Sequence, residues 1–190
     1  MNNTSEKLIQ ISIKTFSEKG YHGTSLNDLA NELGIKKASL YNYFISKDDL
    51  YEKCIEICMN QGLKLTESIY TTPDNVHDEL LKFFKAYIHD TDHLVKFYIQ
   101  LSFAPSNFNE LIMAHNKKIS IVFNNKLKEI HKNNHLTVKQ DDFILFINMF
   151  VYGWFYRKSF VQGDVTPDNI VNEFDKHFSI LMKHSHGDES

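Results

Sequence analysis

The stretch "TSLNDLANELGIKKASLYNYFISKDDLY", residues 24–51, decides the fold. It carries two short helical patterns on either side of a glycine. Ser25, with Asp28 three residues on, is a helix-cap signature; Leu26, Leu29, Ala30 and Leu33 then share one face, and Gly34 supplies the stop. Lys36 to Tyr43 reads as a second short helix with Leu40 turned inward. Ser46 and Asp49 repeat the cap signature for a longer helix that starts there. Small or apolar residues at Ala30, Gly34, Ile35 and Leu40 suit two helices locked at a steep angle across the Leu33-Gly34-Ile35 turn, which is a helix-turn-helix.

Charge gives that motif a direction. The formal net charge is -3, yet no acid occurs between Leu33 and Lys47, where Lys36, Lys37 and Lys47 stand among hydroxyls and tyrosines. The outward face of the second short helix offers Lys36, Lys37, Ser39, Tyr41 and Asn42, side chains able to reach phosphates or base edges in a major groove. Helices capped at Ser25 and Ser46 can aim free backbone N–H groups at phosphates without any side-chain charge. Arg157 is the only arginine, so phosphate contacts rest on lysine as a point charge rather than on guanidinium forks.

Outward from this stretch the chain stays helical. Leu8, Ile9, Ile13 and Phe16 make one face of a first helix, about Ser5 to Lys19, with Gly20 as its stop. The helix from Ser46 runs to about Tyr70, where Thr71-Thr72-Pro73-Asp74 ends it. Further helical stretches are expected near 75–90, 93–103, 108–132, 138–161 and 167–184, with Pro105 and the Gly163 to Pro167 segment as breaks. No alternating run or hairpin turn signals a strand. The expected fold is all-α with about nine helices: a three-helix helix-turn-helix DNA-binding domain at 1–50, then a helical domain for ligand binding and dimerisation at 51–190.

Composition excludes other classes. At 42% hydrophobic the chain can build a core without disulfides. No apolar run approaches the roughly eighteen residues of a membrane span, and Met1 to Glu6 is polar, so a cytoplasmic protein with no membrane partner is expected. Cys54 and Cys58 lie four apart on one side of a helix and read as two reduced, half-buried thiols, with a redox switch as the alternative. His89 and His93, and His131 and His135, have the spacing that lets two imidazoles share a metal on a helix, but both pairs fall at helix ends with no third ligand, and His184 and His186 lie in the polar tail. No metal and no cofactor is expected. Nor is an enzyme, because no nucleophile elbow, phosphate-cradling loop or catalytic His or Cys constellation occurs.

The run from Phe16 to Tyr51 resembles the DNA-binding domain of the TetR family of one-component bacterial regulators. The resemblance rests on the Phe-x-x-x-Gly-Tyr/Phe ending of the first helix, the Thr before the second, and Leu-Tyr-x-Tyr-Phe-x-x-Lys. It implies that Thr24, Ser25, Tyr43 and Lys47 contact phosphate, and that Lys36, Lys37, Ala38, Ser39, Tyr41 and Asn42 lie on or beside the recognition helix. Within the family, "IKKASLY" at 35–41, "QLSFAP" at 100–105 and "SFVQG" at 159–163 are similar to repressors of the staphylococcal intercellular-adhesion operon.

Beyond Glu52 the residues carry less chemistry. Aromatics are dense there, and rings shared between core and a cleft suit a small apolar or aromatic ligand, with Phe97, Leu101, Phe123, Phe150 and Trp154 as candidate liners. Residues 143–160 are apolar almost all round, and 170–182 carry Phe174, Phe178 and Leu181 among other apolar side chains, more than one small domain need hide. A second copy of the chain is the simplest cover. Two helices from each of two chains would make a four-helix bundle, the usual dimer of the family, and set two recognition helices on a near-palindromic operator in double-stranded DNA. The expected function is a repressor released from that operator by its ligand; the alternative is a dimeric DNA-binding regulator with no small-molecule ligand, controlled by abundance or a protein partner.

Overall fold

A computed structural model describes residues 3–88, 93–160 and 166–184. Among the described residues there are nine α-helices and no strand: α1 (Asn3–Gly23), α2 (Leu26–Leu33), α3 (Lys37–Leu40), α4 (Lys47–Glu67), α5 (Val76–Ile88), α6 (Leu94–Gln100), α7 (Asn109–Asn133), α8 (Gln140–Phe160) and α9 (Pro167–His184). Two short 3-10 turns, Leu101–Phe103 and Ser106–Phe108, join α6 to α7. His89, His186 and residues 161–163 of the "SFVQG" run lie outside the described residues.

The helix ends follow local chemistry. At the start of α2 the Asp28 N–H donates to Ser25 Oγ (3.1 Å), and at the start of α4 the Asp49 N–H donates to Ser46 Oγ (3.1 Å), as both cap signatures predict. Gly34 takes a left-handed conformation (φ 74°), and the Ile35 and Gly34 amides donate back to the carbonyls of Ala30 (3.0 Å) and Asn31 (3.1 Å). This double closure needs a residue tolerant of positive φ, so glycine ends α2 where the pattern stops. Gly20 differs from expectation: it breaks the helical geometry (φ 67°), but the helical run resumes through Gly23.

Two compact units form. One gathers Met1–Gly62 with Asp90–Lys117, the other Leu63–His89 with Lys118–Ser190. The expected boundary at residue 50 falls inside α4, and α6 with its following turns joins the first unit. Aromatic packing explains that membership: Tyr51 of α4 meets Phe16 of α1 (4.8 Å between ring centroids), Phe97 of α6 (5.6 Å) and Phe108 (5.0 Å). Leu8, Leu29, Leu40, Leu50 and Ile55 are also fully covered in this unit. The second unit has its own core of α5, α7, α8 and α9 side chains, including Leu80, Phe84, Leu127, Phe143, Ile147 and Phe174.

Tyr51 is fully buried, and its hydroxyl has no hydrogen-bond partner among the described residues. Burial pushes its pKa well above the usual tyrosine range. A buried hydroxyl without a partner costs free energy, so Tyr51→Phe is expected to match the parent or gain about 1 kcal/mol in urea unfolding. A loss beyond about 1 kcal/mol would show that the hydroxyl contributes to stability.

Candidate nucleic-acid interface

The sequence folds the acid-free stretch into one exposed surface. Leu40 is fully buried beneath α3, while Lys36, Lys37, Ala38, Tyr41 and Asn42 are exposed and Ser39 is half-buried. α3 is assigned as four residues rather than the expected Lys36 to Tyr43. Three-residue turns carry the coil on: the amides of Asn42 and Tyr43 donate to the carbonyls of Ser39 (3.3 Å) and Leu40 (2.9 Å). The expected donors therefore still lie exposed or half-buried on a short coil anchored by the buried Leu40.

Lys47, in the first turn of α4, lies with its Nζ 4.2 Å from the centre of the Tyr21 ring. Desolvation lowers the pKa of its ammonium, outweighing the opposing pull of Asp48. The two carboxylates that follow are both engaged. Asp49 Oδ2 accepts from the Ile45 amide (2.9 Å) and Lys53 Nζ (3.0 Å), and the amide foremost holds its pKa down. Asp48 accepts from the Tyr21 hydroxyl through one oxygen and from Asn107 Nδ2 (3.3 Å) through the other. Tyr21 and Asp48 were not among the expected site residues; their pairing joins positions 27 apart, which no local pattern reveals.

Other expected residues take varied places. Ser25 is exposed and caps α2, and Tyr43 is half-buried. Thr24 is buried, with its hydroxyl donating to the Gly20 carbonyl (2.8 Å), so it closes the broken end of α1 instead of facing solvent. Phe97 and Leu101 belong to the core of the first unit. Phe123 is buried in the second unit, stacked on Phe83 (5.2 Å). Phe150 and Trp154 do meet, on an open cleft of about 280 Å³ that Met149, Gly153, Arg157 and Glu173 also border. There Arg157 donates to both Glu173 carboxylate oxygens (2.7 and 2.6 Å) and lies 4.6 Å over the Trp154 ring, so the chain's one guanidinium is already paired.

Phe174 and Phe178, expected at a dimer interface, turn into this chain's own core, and Leu181 is half-buried against it. The physical reason is competition for cover: α5 and α8 reach these rings first, with Phe84 (5.0 Å) and Phe150 (5.1 Å) on Phe174. What stays exposed is a different stripe on α8, Leu145, Met149, Tyr152 and Tyr156, each more than half accessible, with Ile180 on α9. Its spacing of four, three and four is that of a coiled-coil seam.

Both cysteines are buried and neither is in a disulfide; the Cys58 thiol donates to the Leu94 carbonyl (3.4 Å), and burial raises the Cys54 pKa far above the ordinary thiol range. His131 donates from Nε2 to the Val138 carbonyl (2.6 Å), and His135 lies past the end of α7 with φ 49°, so the two do not share a helical face. Among the described residues no group of three or more His, Cys, Asp or Glu could hold a metal ion, and no helix is long and apolar enough to cross a membrane.

Residues 8–54 match the family described as "Bacterial regulatory proteins, tetR family", and residues 80–183 match "Tetracyclin repressor-like, C-terminal domain". The chain is 35% identical over 179 residues (93% of it, 96% of the relative) to the "Biofilm operon icaADBC HTH-type negative transcriptional regulator IcaR" of Staphylococcus epidermidis. It is 29% identical, with the same coverage, to the protein of that name from Staphylococcus aureus strain Newman. In fold it is similar to the crystal structure of a TetR-family transcriptional regulator from Bordetella parapertussis 12822, with a TM-score of 0.66 at 18% identity over 94% of this chain and 95% of that one.

Proposed function

The chain belongs to the TetR family of bacterial regulatory proteins, and from that premise we propose that it represses transcription as a homodimer whose paired helix-turn-helix modules grip a near-palindromic operator. Membership makes it a DNA-binding transcriptional regulator and not an enzyme. The observation that carries the reading is the solvent-facing, acid-free surface from Lys36 to Lys47, backed by Leu40 and bordered by carboxylates already engaged. Lys47, Ser25 and Tyr43 are assigned to backbone phosphate; Lys36, Lys37, Ala38, Ser39, Tyr41 and Asn42 are assigned to the groove. The negative regulation named for the staphylococcal relatives favours repression here, and a regulator of chromosomal DNA works in the cytoplasm.

The dimer is assigned to the α8 seam, where a second copy would cover Leu145, Met149, Tyr152 and Tyr156. For the ligand, the cleft beside Phe150 and Trp154 supports a small apolar or aromatic molecule. A ligand that prefers the form whose recognition helices miss successive grooves lowers DNA affinity by that preference.

Lys47→Ala tests the DNA surface. A phosphate contact is blind to sequence, so the variant is expected to bind operator and scrambled duplex more weakly by the same factor, with a salt slope lower by about one unit per half-site. Unchanged affinity on both duplexes in a salt titration would remove Lys47 from the interface.

A further inference from the structure

Asp48 poses a problem that the DNA-facing surface leaves open. It is the first acid after the acid-free stretch and follows Lys47 directly, where a bare carboxylate would repel the phosphate that Lys47 meets. Both of its oxygens are occupied. The Tyr21 hydroxyl, from the run after the break in α1, donates to one; Asn107 Nδ2, from the second 3-10 turn and 59 residues along the chain, donates to the other at 3.3 Å. The Tyr21 ring carries the Lys47 ammonium on its face and is itself wedged between Tyr51 (5.0 Å) and Phe108 (5.8 Å).

We propose that Tyr21, Asp48 and Asn107 are positioning residues for Lys47, a clamp through which the Ser106–Phe108 turn sets how strongly this lysine engages DNA phosphate. The proposal rests on the assignment of Lys47 to phosphate. Each part has a physical role. A lysine stem loses much rotamer freedom when fixed, and a ring that holds the ammonium beforehand reduces that loss at binding. Two donors on Asp48, one to each oxygen, partly compensate its negative charge. Desolvation first, then Asp48, pushes the Tyr21 pKa up to about 12, so the hydroxyl keeps its proton and remains a donor. Phe108 couples the turn to the ring by packing, and Asn107 couples it to the carboxylate by hydrogen bonding.

Asn107 is exposed and donates to Asp48, so its substitution removes one donor of the clamp and leaves Lys47 itself in place. The experiment is a double-mutant cycle of Asn107→Ala and Lys47→Ala, binding a random-sequence DNA duplex at several salt concentrations. Asn107→Ala is expected to weaken binding about three- to tenfold when Lys47 is present and less than about twofold when it is alanine. Equal losses on both backgrounds, or none on either, would overturn the clamp. If Lys47→Ala alone changes nothing, the phosphate assignment falls and takes the clamp with it; if it weakens binding without coupling to Asn107, only the clamp falls. A second reading comes from reductively ¹³C-methylated protein. The Lys47 methyl resonance is expected upfield of the other lysines because of the Tyr21 ring, and to move toward them in Asn107→Ala. A resonance that stays in place in that variant counts against the proposal, and thermal unfolding of every variant separates this effect from loss of fold.

Discussion

Phe174→Ala is expected to destabilise the protein by about 3–5 kcal/mol, while Met149→Asp, on the neighbouring helix, dissociates the dimer and leaves the protomer's fold intact. Both helices are expected in the dimer bundle, yet Phe174 turns into the core while Met149 stays exposed. Phe174 is fully buried within one chain, with its ring centroid 5.0 Å from Phe84, 5.1 Å from Phe150 and 5.2 Å from Phe178. Truncation leaves a cavity among rigid rings that cannot collapse to fill it. Met149 is exposed, so an aspartate there disturbs the isolated protomer by no more than about 0.5 kcal/mol. Across a coiled-coil seam the same carboxylate would be buried without a partner, at a cost of several kcal/mol. Urea unfolding and sedimentation velocity on each variant separate the cases. The parent's midpoint is expected to rise with protein concentration and that of Met149→Asp to be independent of it. A stable Met149→Asp dimer would move the interface away from α8; an unchanged midpoint for Phe174→Ala would contradict its place in the core.

The contrast shows where periodicity stops carrying information. Ser25, Gly34, Ser46 and Asp49 were legible because caps and left-handed turns are decided by residues within a few positions of one another. α8 was legible as a helix but not as an oriented one. Its apolar residues run almost all round, so nothing in their spacing says that Phe143, Ile147, Val151 and Trp154 face inward and Leu145, Met149, Tyr152 and Tyr156 outward. The assignment of α6 to the first unit was hidden for another reason: Phe97 and Phe108 pack on Tyr51 from more than forty positions away, a choice made by non-local fit. The surface from Lys36 to Lys47 was visible as a charge anomaly. The clamp behind Lys47 was not, because Tyr21 and Asn107 reach Asp48 from 27 and 59 positions away, which no local pattern encodes.

Recognition of sequence by this surface leads to the second large effect: Asn42→Ala and Lys37→Ala are each expected to lose about 1–3 kcal/mol on the cognate operator and far less on scrambled duplex. Both side chains are exposed on the short coil backed by Leu40. An asparagine amide can pair with the N6 and N7 edge of adenine, and a lysine can donate to O6 and N7 of guanine, contacts that exist only over the right base. Lys47 has no such choice, since a phosphate is present at every step of the backbone. The three variants therefore separate on one plot of affinity against salt. Lys47→Ala shifts operator and scrambled DNA together and lowers both slopes. Asn42→Ala, which removes no charge, keeps the slope and closes the gap between the two duplexes. Lys37→Ala closes the gap and, where its ammonium also neutralises phosphate, lowers the slope. The operator needed is the segment protected when the purified protein is footprinted on DNA upstream of its own gene, and circular dichroism confirms that each variant is folded. If Asn42→Ala and Lys37→Ala weaken both duplexes equally, the exposed face of α3 reads backbone alone, and specificity must come from DNA shape or from another element.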